Sequence, residues 1–185
     1  MKDLQPIVHR LNQVRAELLA AAEGVPAERW RQAPAAGKWS AAEVIAHLTQ
    51  VEAAIVDGME KLLGSAPQPV PFWKRLHIPP RVSRWRFFRA QTPLALDAAL
   101  LGEKPAMLAR FAAGRDRTLK LLETHRDKDL SRWRFRHPFF GSLNGYAWFK
   151  NIYHHEIRHT AQLREIVESL GGTAQSEILR PSGSE

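Results

Sequence analysis

The sequence predicts an all-α domain, a four-helix bundle with a long crossover between its second and third helices. Three observations lead there. Apolar residues recur at helical spacing in four separate stretches. One stretch opens with two helix-start devices side by side. Between Gly64 and Thr92, five prolines (Pro67, Pro69, Pro71, Pro79, Pro80) forbid a continuous helix. A connection of that length is what parallel consecutive helices of a bundle require.

Each element follows from its own residues. Leu4, Ile7, Val8, Leu11, Val14, Leu18 and Leu19 give a first helix, ended by Gly24, Val25 and Pro26. A short segment through Trp30 leads to a loop at Pro34 and Gly37. The second helix starts at Ser40. Ser40 and Glu43 have the spacing of a capping box, and Trp39 and Val44 that of a hydrophobic staple. This helix runs to about Leu63, with His47 on the stripe of Val44, Val51 and Ile55 that faces the core. The crossover follows, with a short helix expected between Val82 and Ala90. A third helix begins near Pro105, a residue suited to a first turn, and continues to about His125 despite Gly114. Asp127 to Gly141 reads as a loop containing Arg132-Trp133-Arg134-Phe135-Arg136. The fourth helix runs from Ser142 to Leu170 and is stopped by Gly171-Gly172. Residues 1–172 are thus expected to form the bundle domain and 173–185 a flexible C-terminal tail. There is no internal repeat, no phosphate-binding glycine loop and no convincing strand pattern.

Composition narrows the chemistry. The chain of 185 residues is one domain in size and has six tryptophans. It has no cysteine, which removes disulfides, thiolate nucleophiles and sulfur ligands. No apolar run suits a signal peptide or a membrane span, so a soluble, cytoplasmic protein with no membrane partner is the expectation. The net charge is +8, but it is concentrated. From Lys61 to Leu96 there is no Asp or Glu, against Lys61, Lys74, Arg75, Arg81, Arg84, Arg86 and Arg89. The rest of the chain is close to neutral.

The chemistry-bearing stretch is Tyr153-His154-His155-Glu156-Ile157-Arg158-His159-Thr160-Ala161-Gln162. Residues four apart share a helix face, so His155 and His159 form a pair able to grip one divalent cation. His154 points about 100° away and cannot join them. With His47 inward on the second helix, three imidazoles face one core. Three histidines and an open position make a catalytic type of zinc arrangement. From the pattern alone, hydrogen-bonded core histidines fit as well.

Lys38-Trp39-Ser40 with His47 seven residues later resembles the DinB/YfiT-like superfamily. So does His155-Glu156-Ile157-Arg158-His159-Thr160-Ala161-Gln162, and the likeness spans roughly residues 1–170. The resemblance implies a four-helix bundle with a crossover between helices two and three. It also implies a divalent metal, Zn²⁺ or Ni²⁺ first, held by His47, His155 and His159. It further implies either thiol transfer with a low-molecular-weight thiol or metal-dependent hydrolysis on a small molecule. Neutral imidazoles leave the charge of the ion uncompensated, which favours an anionic fourth ligand such as hydroxide, thiolate or carboxylate.

Around that set, Gln162 lies one turn beyond His159 and Asn151 one turn before His155. Either could orient a ligand or simply bond within the bundle. Glu43 is explained by its cap. Glu156 and Arg158 are expected at the surface, and Glu52 lies off the His47 stripe. No catalytic triad is present. A second reading is a non-catalytic binding module using the basic-aromatic crossover (61–96) on nucleic acid or an acidic partner. Arg84, Arg86 and Arg89 would carry it, although no nucleic-acid-binding motif supports it. The outer helix faces are compatible with a homodimer.

Overall fold

The structure is a computed structural model describing residues 3–67, 78–84 and 95–178. Four helices dominate: α1 (Gln5–Glu23), α2 (Ala41–Leu63), α3 (Lys104–Thr124) and α4 (Gly145–Ile178). Helix α1 packs on α4, and α2 packs on both α3 and α4. The α2 start has the expected origin. Ser40 Oγ accepts from the Glu43 amide, and the Glu43 carboxylate accepts from the Ser40 amide, so two otherwise orphaned donors at the helix N-terminus are satisfied. Trp39 and Val44 lie in one apolar cluster, as a staple requires.

The helix directions follow from which residues share a cluster. One end of the core joins Leu4 and Leu11 of α1, Met59 and Leu63 of α2, Leu122 of α3, and Phe149 of α4. The other end joins Leu18 of α1, Val44 of α2, Met107 of α3, and Leu163 of α4. Helices α2 and α3 therefore run parallel, antiparallel to α1 and α4, and the crossover spans the length of the bundle. Burying two such clusters is what holds four amphipathic helices together.

Between the clusters lies a charged layer. Arg15 of α1 and Arg115 of α3 meet Glu52 of α2 and Glu156 of α4, all at most 5% exposed. Arg15 bonds Glu52 and Glu156, the latter with Nη2 at 2.6 Å from Oε1. Arg115 reaches Glu52 Oε1 at 2.9 Å and Glu156 Oε1 at 2.8 Å. The arginines also donate to main-chain carbonyls of the opposite helix, Arg15 to Phe111 and Arg115 to Leu11. Thr118 Oγ1 adds a hydrogen bond to Glu52 at 2.6 Å. Glu156 was expected at the surface and is instead 2% exposed in the middle of the bundle. Only such pairing makes burial of four charges tolerable.

Two further expectations change. The segment before α4 is not a plain loop, because a 3₁₀ turn at Leu130–Arg132 leads into an antiparallel hairpin. Its strands are β1 (Arg134–His137) and β2 (Gly141–Asn144), with Phe135 opposite Leu143. The reason is packing. Leu143 is fully buried, and Phe135 stacks on Trp148 with centroids 4.0 Å apart. Four-residue strands interrupted by arginines carry too little alternation to be seen in advance. Helix α4 accordingly starts at Gly145 rather than Ser142, and its backbone stays helical through Gly171-Gly172 to Ile178. Glycine lowers helix propensity without forbidding the helix.

In the crossover, a 3₁₀ turn at Pro80–Arg84 packs on α4, and Ile78 N–H donates to the Phe140 carbonyl of the hairpin. Residues 68–77 and 85–94, with most of the basic-aromatic run and positions 85–90 of the expected helix of 82–90, lie outside the described residues; positions 82–84 belong to the 3₁₀ turn. Among the described residues, no helix is long and apolar enough to cross a membrane.

Candidate metal centre

His47 enters the core from the second turn of α2, beside the capped N-terminus that fixes the rotation of that helix. His155 and His159 are successive turns of α4. The three side chains meet. His47 Nε2 lies 3.3 Å from His155 Nε2, and His159 Nε2 lies 3.1 Å from the same atom. One nitrogen from each ring falls within 4.8 Å of both others. His154 is outside the group, and its ring lies against Tyr153 at 4.5 Å.

The protonation of these rings can be worked out. His159 Nδ1 is 2.8 Å from Gln162 Oε1. The amide oxygen only accepts, so Nδ1 carries the proton and Nε2 presents a lone pair. Burial depresses all three histidines. It takes His47 to about 4. His159 falls to about 3, through burial and then the neighbouring His47, against the opposing Gln162 hydrogen bond. His155 is held well below its ordinary value by burial and then by His159 and His47. All three are neutral near pH 7, the form that binds metal.

Three neutral imidazoles converging through Nε2 fit a cation. Tetrahedral bonds of about 2.0–2.1 Å place donor atoms roughly 3.3–3.4 Å apart, close to two of the three separations here. Without an ion, three rings facing one another through one atom type cannot all be satisfied, since His159 already offers only a lone pair.

Trp39 walls the centre. Its ring meets His47 edge-on at 4.9 Å and lies parallel to His159 at 6.4 Å. The staple residue of α2 is thus also part of the site. His155 is only half-buried, so the centre is not sealed from solvent. Below it, a small pocket is lined by Leu48, Val51, Glu52, Ile152, His155 and Glu156, linking the histidines to the charged layer. Burial pushes Glu52 up, but Arg115 and Arg15 outweigh it and hold the carboxyl below its usual range. For Glu156, burial and then Glu52 prevail over the same arginines and hold it above.

The other residues singled out in the sequence fall as follows. Gln162 holds His159. Glu43 does serve the cap. Glu52 is off the His47 face, as read, but is buried against two arginines. Asn151 is buried on α4 against His137 of the hairpin, with Nδ2 3.4 Å from His137 Nε2. His137 was missed. It lies in a segment read as loop, and nothing in the local sequence brings it to the α4 face.

Comparison with known proteins agrees with this architecture. A family model described as DinB superfamily matches residues 10–163. The "Uncharacterized protein YuaE" of Bacillus subtilis (strain 168) is 26% identical over 162 residues, covering 86% of this chain and 96% of that protein. The crystal structure of TT2238, described as a four-helix bundle protein, superposes with a TM-score of 0.56 at 22% identity. That likeness covers 87% of this chain and 98% of the other, and it concerns the fold. The match over most of the chain and the shared bundle place this protein in the DinB superfamily.

Proposed function

We propose that the protein is a divalent-metal-dependent enzyme acting on a small molecule, as a hydrolase or a thiol S-transferase, with His47, His155 and His159 holding the ion. The observation that carries this reading is the convergence of three Nε2 atoms within 3.1–3.3 Å along the His47–His155–His159 chain. A bound Zn²⁺ or Ni²⁺ would supply Lewis acidity, bringing the pKa of a coordinated water to about 7 or ionising a coordinated thiol.

The protein's own groups do the rest. Burial keeps the rings neutral and available. Gln162 fixes the tautomer and orientation of His159, a role outer-shell groups commonly perform for metal-binding histidines. Trp39 covers one side of the centre through its edge-on contact with His47. The three imidazoles bring no negative charge, so an anionic ligand is favoured at the open position.

The test is turnover of ester, amide and thiol-acceptor substrates by protein loaded with Zn²⁺ or Ni²⁺, beside His159→Ala. Activity that needs both the ion and His159 supports the reading. Activity surviving in His159→Ala contradicts it.

A further inference from the structure

The charged layer leaves one oxygen unused. Glu156 Oε1 accepts from Arg15 Nε at 3.1 Å, Arg15 Nη2 at 2.6 Å and Arg115 Nη2 at 2.8 Å. Its Oε2 is buried without a hydrogen-bond partner. Glu52 differs, because Arg115 and Thr118 engage its Oε1 and Arg15 its Oε2. A buried carboxylate oxygen that receives no donor calls for an explanation.

His155 carries the matching loose end. Its Nε2 faces His47 and His159, but its Nδ1 has no hydrogen-bond partner among the described residues. Which nitrogen holds the proton matters here. A metal at Nε2 requires the proton on Nδ1, and metal-binding histidines almost always pass that N–H to a carboxylate, a carbonyl or a water. His159 Nε2, which offers only a lone pair, draws the proton the other way.

Both residues line the pocket beneath the three histidines, with Leu48, Val51, Glu52 and Ile152. Consecutive helical residues project about 100° apart, so His155 and Glu156 flank this space, and no direct bond joins them. Its volume of about 10 Å³ for water centres admits one water and nothing larger. A buried water needs at least two polar partners. The side chains of Leu48, Val51 and Ile152 are apolar, the Glu52 oxygens are taken, and His155 Nε2 is committed to the cluster. His155 Nδ1 and Glu156 Oε2 remain.

We propose that the pocket holds one water that accepts from His155 Nδ1–H and donates to Glu156 Oε2. Glu156 is then a positioning residue that acts on His155 through the water. The carboxylate that pairs with two arginines also favours the tautomer of His155 whose Nε2 is free for an ion. The ligand role of His155 rests on the metal reading above.

The test reads His155 in full-length protein in two ways. Long-range proton–nitrogen NMR of the metal-free protein gives the fraction of His155 protonated on Nδ1. Competition with a chromogenic chelator gives the zinc affinity. In Glu156→Gln the arginines keep the amide oxygen, so the NH₂ group turns into the pocket and an acceptor becomes a donor. The Nδ1–H fraction should fall, and zinc should bind about 10–100-fold more weakly. Glu52→Gln disturbs the same layer at a residue whose oxygens are already engaged, and both readings should stay at the wild-type level. Unchanged readings in Glu156→Gln overturn the proposal. An equal change in Glu52→Gln also overturns it, since layer damage alone would then suffice. Should Glu156→Gln fold poorly, the zinc-loaded wild type decides: a nuclear Overhauser contact between His155 Nδ1–H and a bound water is expected, and its absence overturns the bridge. A wild type that binds no zinc sinks the metal reading instead, while the metal-free tautomer comparison still decides the bridge.

Discussion

His159 Nδ1 donates to Gln162 Oε1 at 2.8 Å, and this single bond turns the Nε2 lone pair of His159 toward His155 Nε2, 3.1 Å away. A residue one turn beyond the last ligand thus sets how that ligand presents itself. Gln162→Leu should weaken zinc binding about 10–100-fold, the usual cost of losing such a partner. Gln162→Glu should retain most of the affinity because a carboxylate also accepts from Nδ1. Competition with a chromogenic chelator measures both. Unchanged affinity in Gln162→Leu would show the bond to be incidental.

Glu52 is the hub of the charged layer, bonded to Arg15, Arg115 and Thr118. Breaking one partner of a buried ion pair leaves uncompensated charge and costs about 3–5 kcal/mol. Glu52→Gln should lower the urea-unfolding free energy by that amount. A loss under about 1 kcal/mol would mean that the layer is neutralised or hydrated.

Burial holds His137 at about 4, below its ordinary value. The unfolded chain therefore takes up this proton first as the pH falls. Its contribution to stability is present above about pH 6.5 and is lost as the pH drops toward 4. The melting temperature of the wild type should consequently fall more between pH 7 and pH 5 than that of His137→Phe. Parallel pH profiles for the two proteins would contradict the burial of a neutral ring.

Gly145 joins β2 to α4 where no side chain fits. A Cβ there would stand 3.0 Å from Leu130 Cβ, from the Leu130 carbonyl oxygen and from Met59 Cε. Gly145→Ala should cost about 1–3 kcal/mol by overpacking, read as a lower midpoint in urea at unchanged slope. A neutral or stabilising effect would mean that Met59 and the Leu130 turn yield freely.

Much of this molecule is legible in local sequence, because much of it is decided locally. The Ser40–Glu43 box starts α2 and thereby fixes which face His47 presents. The four-residue spacing of His155 and His159 needs nothing beyond helix geometry. Proline density in the crossover accounts for parallel α2 and α3. What escaped is what depends on distant partners. Arg15 finds Glu156 across 141 residues, and no window of sequence holds both. A signal did exist. Arg15 follows Leu11 and precedes Leu18 at core spacing, as Glu52 does between Leu48 and Ile55 and Glu156 between Ile152 and Leu163. Arg115 likewise interrupts the stripe of Phe111 and Leu122. Each helix carries one charge on its buried stripe, two of each sign, which is what a neutral interior layer demands. The hairpin was hidden for another reason. Its pairing is set by Phe135 on Trp148 and by buried Leu143 rather than by alternation of its own.

The convergence of three imidazoles predicts a bound metal ion. The most direct test is elemental analysis of protein purified without a metal-affinity tag, beside the His155→Ala/His159→Ala double variant. About one equivalent of a divalent transition metal is expected in the first and none in the second. Absence of metal from the wild type even after incubation with Zn²⁺ and Ni²⁺, or equal content in the two proteins, would contradict it.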